Sequence, residues 1–171
     1  MRLGARWHIV TGSTGAGKST FARELAARAG GVRLSIDEWM AALFWMDSPE
    51  KKDFSWAMER IGRCEAQIAS VALSLAAVSV DAVLDLGFTL REHREAWLKR
   101  AREAGVAVEL HVLDVPAEIR WERVCERNAG ASATYSFAVT REMFEAMEAM
   151  WEAPDDAELA AFGLGPLPAR S

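Results

Sequence analysis

The chain is poor in cysteine, and its two cysteines show no spacing that would define a site. Cys64 and Cys125 lie far apart among 171 residues, with no C-x-x-C pair. Each falls within a stretch of helically spaced apolar residues, so we predict two buried free thiols and a cytoplasmic location. Residues 1–6 lead straight into a predicted strand, which leaves no room for a signal peptide.

The chain also lacks an excess of positive charge and a long apolar run. Its net charge is −5 and its pI is about 5.3, so no global field draws it to nucleic acid or to an anionic membrane. A local basic groove stays compatible with this charge. The least charged stretch, 66–80, contains four polar residues and is shorter than the about 20 residues of a membrane-spanning helix. We predict no transmembrane segment.

The most informative segment present is GSTGAGKS, Gly12–Ser19, which fits the P-loop pattern G-x-x-x-x-G-K-[ST]. A predicted strand precedes it and a predicted helix follows it. In this context the loop N–H groups and the helix N-terminus can bind phosphate. Lys18 would reach the β- and γ-phosphates and Ser19 would ligate Mg²⁺. The predicted nucleotide-binding residues are Gly12, Ser13, Thr14, Gly15, Ala16, Gly17, Lys18, Ser19 and Thr20.

Strands alternate with helices along the whole sequence. The predicted strands are 7–10, 32–35, 82–86 and 106–112. The predicted helices are 19–26, 49–78 with Ser48 as N-cap, one from a capping box at 89–92 to Gly105, 116–127 and 140–151. The tail from Pro154, rich in proline and glycine, is predicted to have little regular structure. This order predicts one α/β domain over 1–171 with a mainly parallel sheet flanked by helices.

Two aspartates are expected beside the P-loop, because ligands bind beyond the carboxyl ends of parallel strands. Asp37 follows the second strand and could accept the proton of an attacking hydroxyl. Two alternatives stay open: Asp37 as a helix N-cap, and Glu38 as the functional acid. Asp85 ends the third strand in the manner of a Walker B aspartate, and we predict that it holds Mg²⁺. A substrate contact and a plain strand end are its alternatives.

The predicted helix 117–127 carries a stripe of arginines. Arg120, Arg123 and Arg127 lie within about 60° of one another on this helix. Such side chains repel one another, which favours an anionic partner such as a nucleoside triphosphate. A solvated charged face is the alternative. The small, polar segment 128–138 then suits a mobile lid, so we predict an arginine-bearing lid over about 116–139.

Further candidates are expected near the same sheet edge. Arg91 and Arg94 follow Asp85 closely and could contact substrate or phosphate, with a solvent-facing role as the alternative. Trp39 belongs to an aromatic insertion after Asp37 that could line an acceptor pocket, with ordinary core packing as its alternative. The histidines show no zinc-site spacing, and His8 and His111 are expected within strands, as core residues or with their polar atoms satisfied.

These motifs together resemble the small P-loop kinases. The resemblance rests on Gly12–Ser19, Ser35-x-Asp37, the segment VLDLGF at 83–88 and the arginines up to Asn128. It covers about residues 6–152. The most similar groups are the bacterial predicted kinases of the AAA-type ATP-binding family, the chloramphenicol phosphotransferases, the zeta toxins and the kinase domain of polynucleotide kinase.

The resemblance implies an ATP- and Mg²⁺-dependent enzyme that phosphorylates a hydroxyl group. The family's general base after the second strand matches Asp37, and its phosphate-clamping lid arginines match Arg123 and Arg127, with Arg120 a weaker match. The expected catalytic residues are therefore Lys18, Asp37, Arg123 and Arg127. A small-molecule acceptor is the main expectation. The alternatives are a polynucleotide 5′-hydroxyl and a non-catalytic ATP-binding regulatory or toxin-type module.

Overall fold

A four-stranded, fully parallel sheet forms the centre of the molecule. The computed structural model describes residues 4–49, 53–130 and 138–167. The strands lie in the order β2-β3-β1-β4. They are β1 (Arg6–Thr11), β2 (Val32–Ser35), β3 (Ala82–Asp85) and β4 (Ala107–Val112). The α/β fold with a parallel sheet is confirmed, and each strand lies where its buried sequence pattern predicted it.

Seven α-helices connect and cover these strands within the described residues. They are α1 (Lys18–Ala29), α2 (Ile36–Phe44), α3 (Phe54–Ala77), α4 (Arg91–Glu103), α5 (Ala117–Ala129), α6 (Arg141–Met150) and α7 (Asp156–Ala161). A 3₁₀ helix, Trp45–Asp47, follows α2. In the part of the chain that the structure describes, no helix has the length and apolarity needed to cross a bilayer.

Side chains on the two faces of the sheet form two apolar clusters. In β1 the alternation is clear, since Trp7 and Ile9 belong to one cluster and Val10 to the other. Cys64 is buried, as predicted, but Cys125 is exposed on α5. The prediction for Cys125 was wrong because the buried face of α5 runs through its neighbour Val124 instead.

Two predicted helix starts were wrong because other polar groups cap these helices. The helix α3 begins at Phe54, since the Asp53 carboxylate accepts hydrogen bonds from the N–H groups of Ser55 and Trp56. Ser48 instead ends the 3₁₀ helix, and residues 50–52 lie outside the described residues.

The helix α4 begins at Arg91, and Thr89 is not its N-cap. Glu152, far away in sequence, accepts a hydrogen bond from the Arg91 backbone N–H at 2.7 Å. This carboxylate, and not the Thr89 side chain, thus satisfies an N–H group in the first turn of α4.

The tail, predicted to have little regular structure, contains the short helix α7. The Asp155 carboxylate caps this helix by accepting from the Glu158 N–H at 2.7 Å. Glu158 itself is buried and forms a two-pronged ion pair with Arg94, with Nε–Oε1 at 2.5 Å and Nη2–Oε2 at 2.9 Å. The short helix is thereby fastened to the core.

Arg94 was also wrongly predicted as a substrate contact. Its side chain is fully buried, and it donates further hydrogen bonds to the backbone oxygens of Phe88, Thr89 and Glu152. The guanidinium has no exposed surface from which it could reach a substrate. Arg94 is therefore a structural residue.

Arg94→Ala should strongly destabilise the protein. Removing one partner of a buried ion pair leaves an uncompensated charge at Glu158 and costs about 3–5 kcal/mol. Arg91→Ala is the matched control, because the pairs of Arg91 with Glu95 and Asp155 lie at the surface and are worth less than about 1 kcal/mol. Urea denaturation of both variants measures the difference. Equal midpoints would contradict the structural role of Arg94.

Candidate functional site

The P-loop connects β1 to α1 at the carboxyl edge of the sheet. Gly17 is the residue before α1, and both it and Gly15 have left-handed backbones, with φ of 90° and 81°. A Cβ on Gly15 would lie 2.5 Å from the backbone oxygen of Arg120 in α5. Glycine at this position therefore permits both the turn and its close approach to α5. The N-terminus of α1 opens on this loop as an anion-binding end.

Lys18 folds back over the loop. Its Nζ donates hydrogen bonds to the backbone oxygens of Gly12 at 2.8 Å and Ser13 at 3.1 Å. Burial lowers the pKa of Lys18, and the negative charges of Asp85 and Asp37 oppose that shift. The ammonium is thus held at the loop and faces two carboxylates.

One cavity of about 470 Å³ brings together predicted residues from four parts of the chain. The P-loop, the start of α2, the end of β3 and α5 each contribute to its wall. The sheet topology explains this, because the carboxyl ends of its strands share one edge. The predicted residues that line it are Thr14, Gly15, Gly17, Lys18, Ser19, Thr20, Asp37, Asp85, Arg123 and Arg127.

Asp37 lies in the first turn of α2 and is not its N-cap. Ser35 takes that position, and its Oγ accepts a hydrogen bond from the Glu38 N–H at 3.4 Å. The capping alternative for Asp37 was therefore wrong. Its carboxylate faces the cavity, where water reaches it although protein surrounds its other sides. Burial and the charge of Asp85 raise the pKa of Asp37, and Lys18 opposes this.

Glu38, the alternative functional acid, points to different partners. Its Oε1 lies 2.5 Å from Arg33 Nη1 and 3.6 Å from Arg23 Nη2. The hydrogen bond from Arg33 lowers the pKa of Glu38, which makes it a poorer proton acceptor. Glu38 is not among the residues that line the cavity. Of the two candidate acids, Asp37 is the one that lines the cavity.

Arg33 holds Asp85, a contact that the sequence analysis did not predict. Its Nε and Nη2 donate to Asp85 Oδ2 at 3.0 and 2.6 Å, across the neighbouring strands β2 and β3. Both bonds use one carboxylate oxygen. Arg33 lies two residues before Ser35 on β2, and only the strand pairing brings it to Asp85.

The oxygen donors in the cavity fit Mg²⁺. The Ser19 hydroxyl and the carboxylates of Asp85 and Asp37 line the same space. Mg²⁺ prefers oxygen ligands and is usually held by one or two carboxylates together with substrate phosphates and water. Ser19 and Asp85, the two predicted Mg²⁺ ligands, are the side chains that would hold such an ion.

The three arginines of α5 divide into two roles. Arg123 and Arg127 are exposed on the helix and line the cavity, and Arg123 Nη1 also donates to the Ala16 backbone oxygen at 3.3 Å. The predicted mobile part of the lid, 131–137, lies outside the described residues. Arg123 and Arg127 both belong to the described helix α5, and from this helix they can contact an anion in the cavity.

Arg120 was wrongly predicted as a nucleotide contact. It is buried, and it donates to the backbone oxygens of Val115 at 2.7 Å and Thr14 at 3.1 Å. Its guanidinium also pairs with both carboxylate oxygens of Glu148 from α6, at 2.8 and 2.7 Å. Arg120 thus joins the P-loop, α5 and α6.

Glu148 also contacts the P-loop directly, which the sequence did not indicate. Its Oε2 accepts a hydrogen bond from Ser13 Oγ at 2.5 Å, and the neighbouring Thr14 Oγ1 donates to Met147 Sδ at 3.3 Å. The side chains of Ser13 and Thr14 therefore face α6. A second cavity of about 230 Å³ lies there, bounded by the P-loop, Thr89 and α6.

Two other predicted substrate residues lie away from the main cavity. Arg91 pairs with Glu95 and Asp155 at 2.6 and 2.7 Å. Trp39 is partly buried and packs against the larger apolar cluster, which was its alternative interpretation. Neither residue is among those that line the main cavity.

Comparison with known proteins agrees with this geometry. A model of the family described as "AAA domain" matches residues 8–154. Among curated proteins, none matches the chain. A chain of the Pnkp1/Rnl/Hen1 RNA repair complex superposes with a TM-score of 0.68 and 19% identity, over 98% of this chain and 49% of that one. This protein thus spans about half the length of that chain.

Two further solved structures are similar over most of both chains. Kti12 from Chaetomium thermophilum, in complex with ADP-AlF3, has a TM-score of 0.63 and 16% identity over 88% of this chain and 82% of that one. A sugar kinase from Janibacter sp. HTCC2649 has a TM-score of 0.57 and 21% identity over 90% and 82%. The chain therefore belongs to the AAA domain family, and its fold is that of the small P-loop kinases.

Proposed function

We propose that this protein transfers the γ-phosphate of ATP, with Mg²⁺, to a hydroxyl group of a small-molecule acceptor. The observation that carries the proposal is the position of Asp37 in the same cavity as Lys18 and Ser19. A proton acceptor therefore lies next to the phosphate-binding loop. A simple nucleotide-binding module has no use for such a group.

The proposed step is an in-line displacement at the γ-phosphorus. The acceptor oxygen forms a bond to phosphorus while the bond from phosphorus to the β–γ bridging oxygen breaks, and ADP leaves. The proton of the acceptor hydroxyl passes to the Asp37 carboxylate, whose raised pKa suits a base better than that of an ordinary aspartate. Bound Mg²⁺ supplies charge neutralisation at the phosphates.

Positive side chains supply the remaining electrostatic stabilisation. The Lys18 ammonium lies at the loop, and Arg123 and Arg127 of α5 line the same cavity. Phosphoryl transfer depends mainly on positioning and on such charges, because the transferred group carries its charge on three oxygens. These three residues are therefore proposed to bind the triphosphate.

Acceptor-dependent ADP release tests the proposal. The purified protein with Mg²⁺ and ATP is offered hydroxyl compounds of several classes, including sugars, sugar nucleotides and hydroxylated antibiotics. We expect one class to stimulate ADP release and to gain one phosphoryl group by mass spectrometry. ATP binding without stimulation by any acceptor would contradict the kinase proposal and favour a regulatory binding module.

A polynucleotide 5′-hydroxyl is the second candidate acceptor. The similarity to a chain of an RNA repair complex favours it, whereas the net charge of −5 opposes it. A single-stranded oligonucleotide with a 5′-hydroxyl is the probe. Phosphorylation with a steep loss of affinity as salt increases would support this candidate, because phosphate contacts release counterions.

Removal of the cavity arginines should weaken ATP binding. We expect Arg123→Ala combined with Arg127→Ala to lower ATP affinity by about tenfold or more, since one charge-assisted hydrogen bond is worth about 1.5–3 kcal/mol. The fold should survive, because both side chains are exposed. Titration calorimetry measures the affinity. The control is the double variant Arg28→Ala with Arg63→Ala, which removes two exposed arginines elsewhere and should bind ATP normally. If both double variants bind ATP with equal affinity, Arg123 and Arg127 belong to a solvated helix face and do not bind the nucleotide.

A further inference from the structure

Three potential metal ligands lie together on the sheet, outside the P-loop cavity. The parallel register pairs His8 with Glu109 and Val10 with His111. Because paired residues of parallel strands point to the same face, and residues two apart on a strand do so too, the three side chains share one face of β1 and β4. The helix α1 covers this face, with the Phe21 ring 5.3 Å from the His111 ring.

The donor atoms of these side chains are spaced as they would be around one ion. His8 Nδ1 lies 3.1 Å from His111 Nε2 and 3.9 Å from Glu109 Oε2, and His111 Nε2 lies 3.7 Å from Glu109 Oε1. Tetrahedral Zn²⁺ with bonds of about 2.0–2.2 Å places its ligand atoms about 3.3–3.6 Å apart. The observed separations match this to within a few tenths of an ångström.

The second ring nitrogen of His8 also fits a metal ligand. His8 is buried, and its Nε2 has no hydrogen-bond partner among the described residues, although Asp81 Oδ2 lies 3.5 Å away. Metal-bound histidines usually direct their other N–H at a carboxylate, which fixes the ring and its tautomer. The Arg6 N–H holds Asp81 through its other oxygen at 2.9 Å. The carboxylate is thus in place for this role.

The cluster is shielded on one side and open on the other. The side chains of His8 and His111 are 7% and 15% exposed, whereas that of Glu109 is 37% exposed. Arg6 Nη1 bonds to Glu109 Oε2 at 2.6 Å and holds the carboxylate beside the rings. Glu109 therefore marks the side from which an ion can enter and a water molecule can complete its coordination.

We propose that His8, Glu109 and His111 bind one Zn²⁺ ion, with water as the fourth ligand. The ion would link β1, the strand that leads into the P-loop, to its neighbour β4. This site is independent of the proposed kinase function. Sequence spacing did not reveal it, because His8 lies about a hundred residues from the other two ligands and only the strand pairing brings them together.

Metal titration at neutral pH tests the site, with excess Mg²⁺ present to occupy the oxygen donors of the P-loop cavity. We expect one equivalent of Zn²⁺ to bind and to raise the melting temperature. Co²⁺ should bind in its place with the intense visible absorption of tetrahedral coordination. Absence of stoichiometric Zn²⁺ binding, or only the weak absorption of six-coordinate Co²⁺, would overturn the proposal.

Four single variants distinguish the ligands from their surroundings. Glu109→Gln and His111→Gln change partly exposed side chains and should abolish the intense Co²⁺ bands, with folding confirmed by circular dichroism. Asp81→Asn should weaken Zn²⁺ binding by about 10–100-fold, as loss of a ligand-orienting carboxylate does. His93→Gln is the matched control, because His93 is the one histidine outside the cluster and pairs with Glu65 elsewhere. Zn²⁺ affinity unchanged in Glu109→Gln and His111→Gln would overturn the assignment.

Discussion

Lys18→Ala is expected to abolish phosphoryl transfer and to leave the fold intact. Loss of one positioned electrostatic group in an active site lowers turnover by about 10²–10³-fold, and Lys18 is the cation of the loop itself. The fold should survive, because the turn depends on Gly15 and Gly17, which have left-handed backbones. Burial already makes the Lys18 charge costly, as its lowered pKa indicates.

The same substitution should also change Asp37. Lys18 opposes the upward shift of the Asp37 pKa, so its removal should raise that pKa further and make the carboxylate less available as a base at neutral pH. Single-turnover transfer and circular dichroism measure the two effects. Lys99→Ala, at an exposed lysine next to Glu103, is the control. Normal turnover in a folded Lys18→Ala protein would refute the P-loop assignment.

Asp37→Asn should separate binding from transfer. Asparagine has almost the same size but cannot accept the proton, so Mg²⁺·ATP should bind about as well while transfer slows by about 10²–10⁴-fold. In the parent protein the rate of phosphoryl transfer should fall as the pH decreases through the pKa of Asp37. This pKa lies above that of an ordinary aspartate. Glu38→Gln is the neighbouring control and should keep transfer. Full activity in Asp37→Asn would refute its role as the base.

The thermal stability of Asp37→Asn tests the raised pKa of Asp37 independently of any activity measurement. A carboxylate whose pKa is raised in the folded state binds protons more tightly when folded, so it costs stability above that pKa. Asp37→Asn should therefore melt higher than the parent at neutral pH. This gain in melting temperature should shrink as the pH falls through the raised pKa of Asp37 in the folded state. It should vanish below the pKa of Asp37 in the unfolded chain. Ser35→Ala, which removes the true cap of α2, should lose about 1 kcal/mol instead.

The parts of this structure that were predictable are those in which neighbouring residues carry the information. The P-loop and the strands around it are contiguous patterns, and the topology of parallel sheets then placed Asp37 and Asp85 beside Lys18. Strand alternation likewise predicted His8 and His111 within strands. The contact of Arg33 with Asp85 needed the order of the strands, which no local pattern provides.

Three of the wrong predictions, those for Arg94, Arg120 and the Thr89 cap, share one physical cause. Arg94 was expected to contact substrate or phosphate because it follows Asp85 closely, and Arg120 to contact the nucleotide because its helix carries a stripe of mutually repelling arginines. No carboxylate partner lies suitably near either residue in sequence. Glu158 and Glu148 supply those partners from the chain after residue 140. Glu152 replaces the expected Thr89 cap in the same way. The C-terminal part of the chain, from α6 to α7, thus supplies carboxylates to two buried arginines and to the first turn of α4.

The pairing of Arg94 with Glu158 has a consequence for how the protein is made. The two residues are 64 positions apart, and a ribosome that adds about 5–20 residues per second needs about 3–13 s to reach the second after the first. During that time the nascent chain carries a guanidinium without its carboxylate, and burying it alone is unfavourable. Docking of α4 onto the sheet is therefore less favourable before Glu158 has been synthesised, and we expect it to be completed after translation of α7.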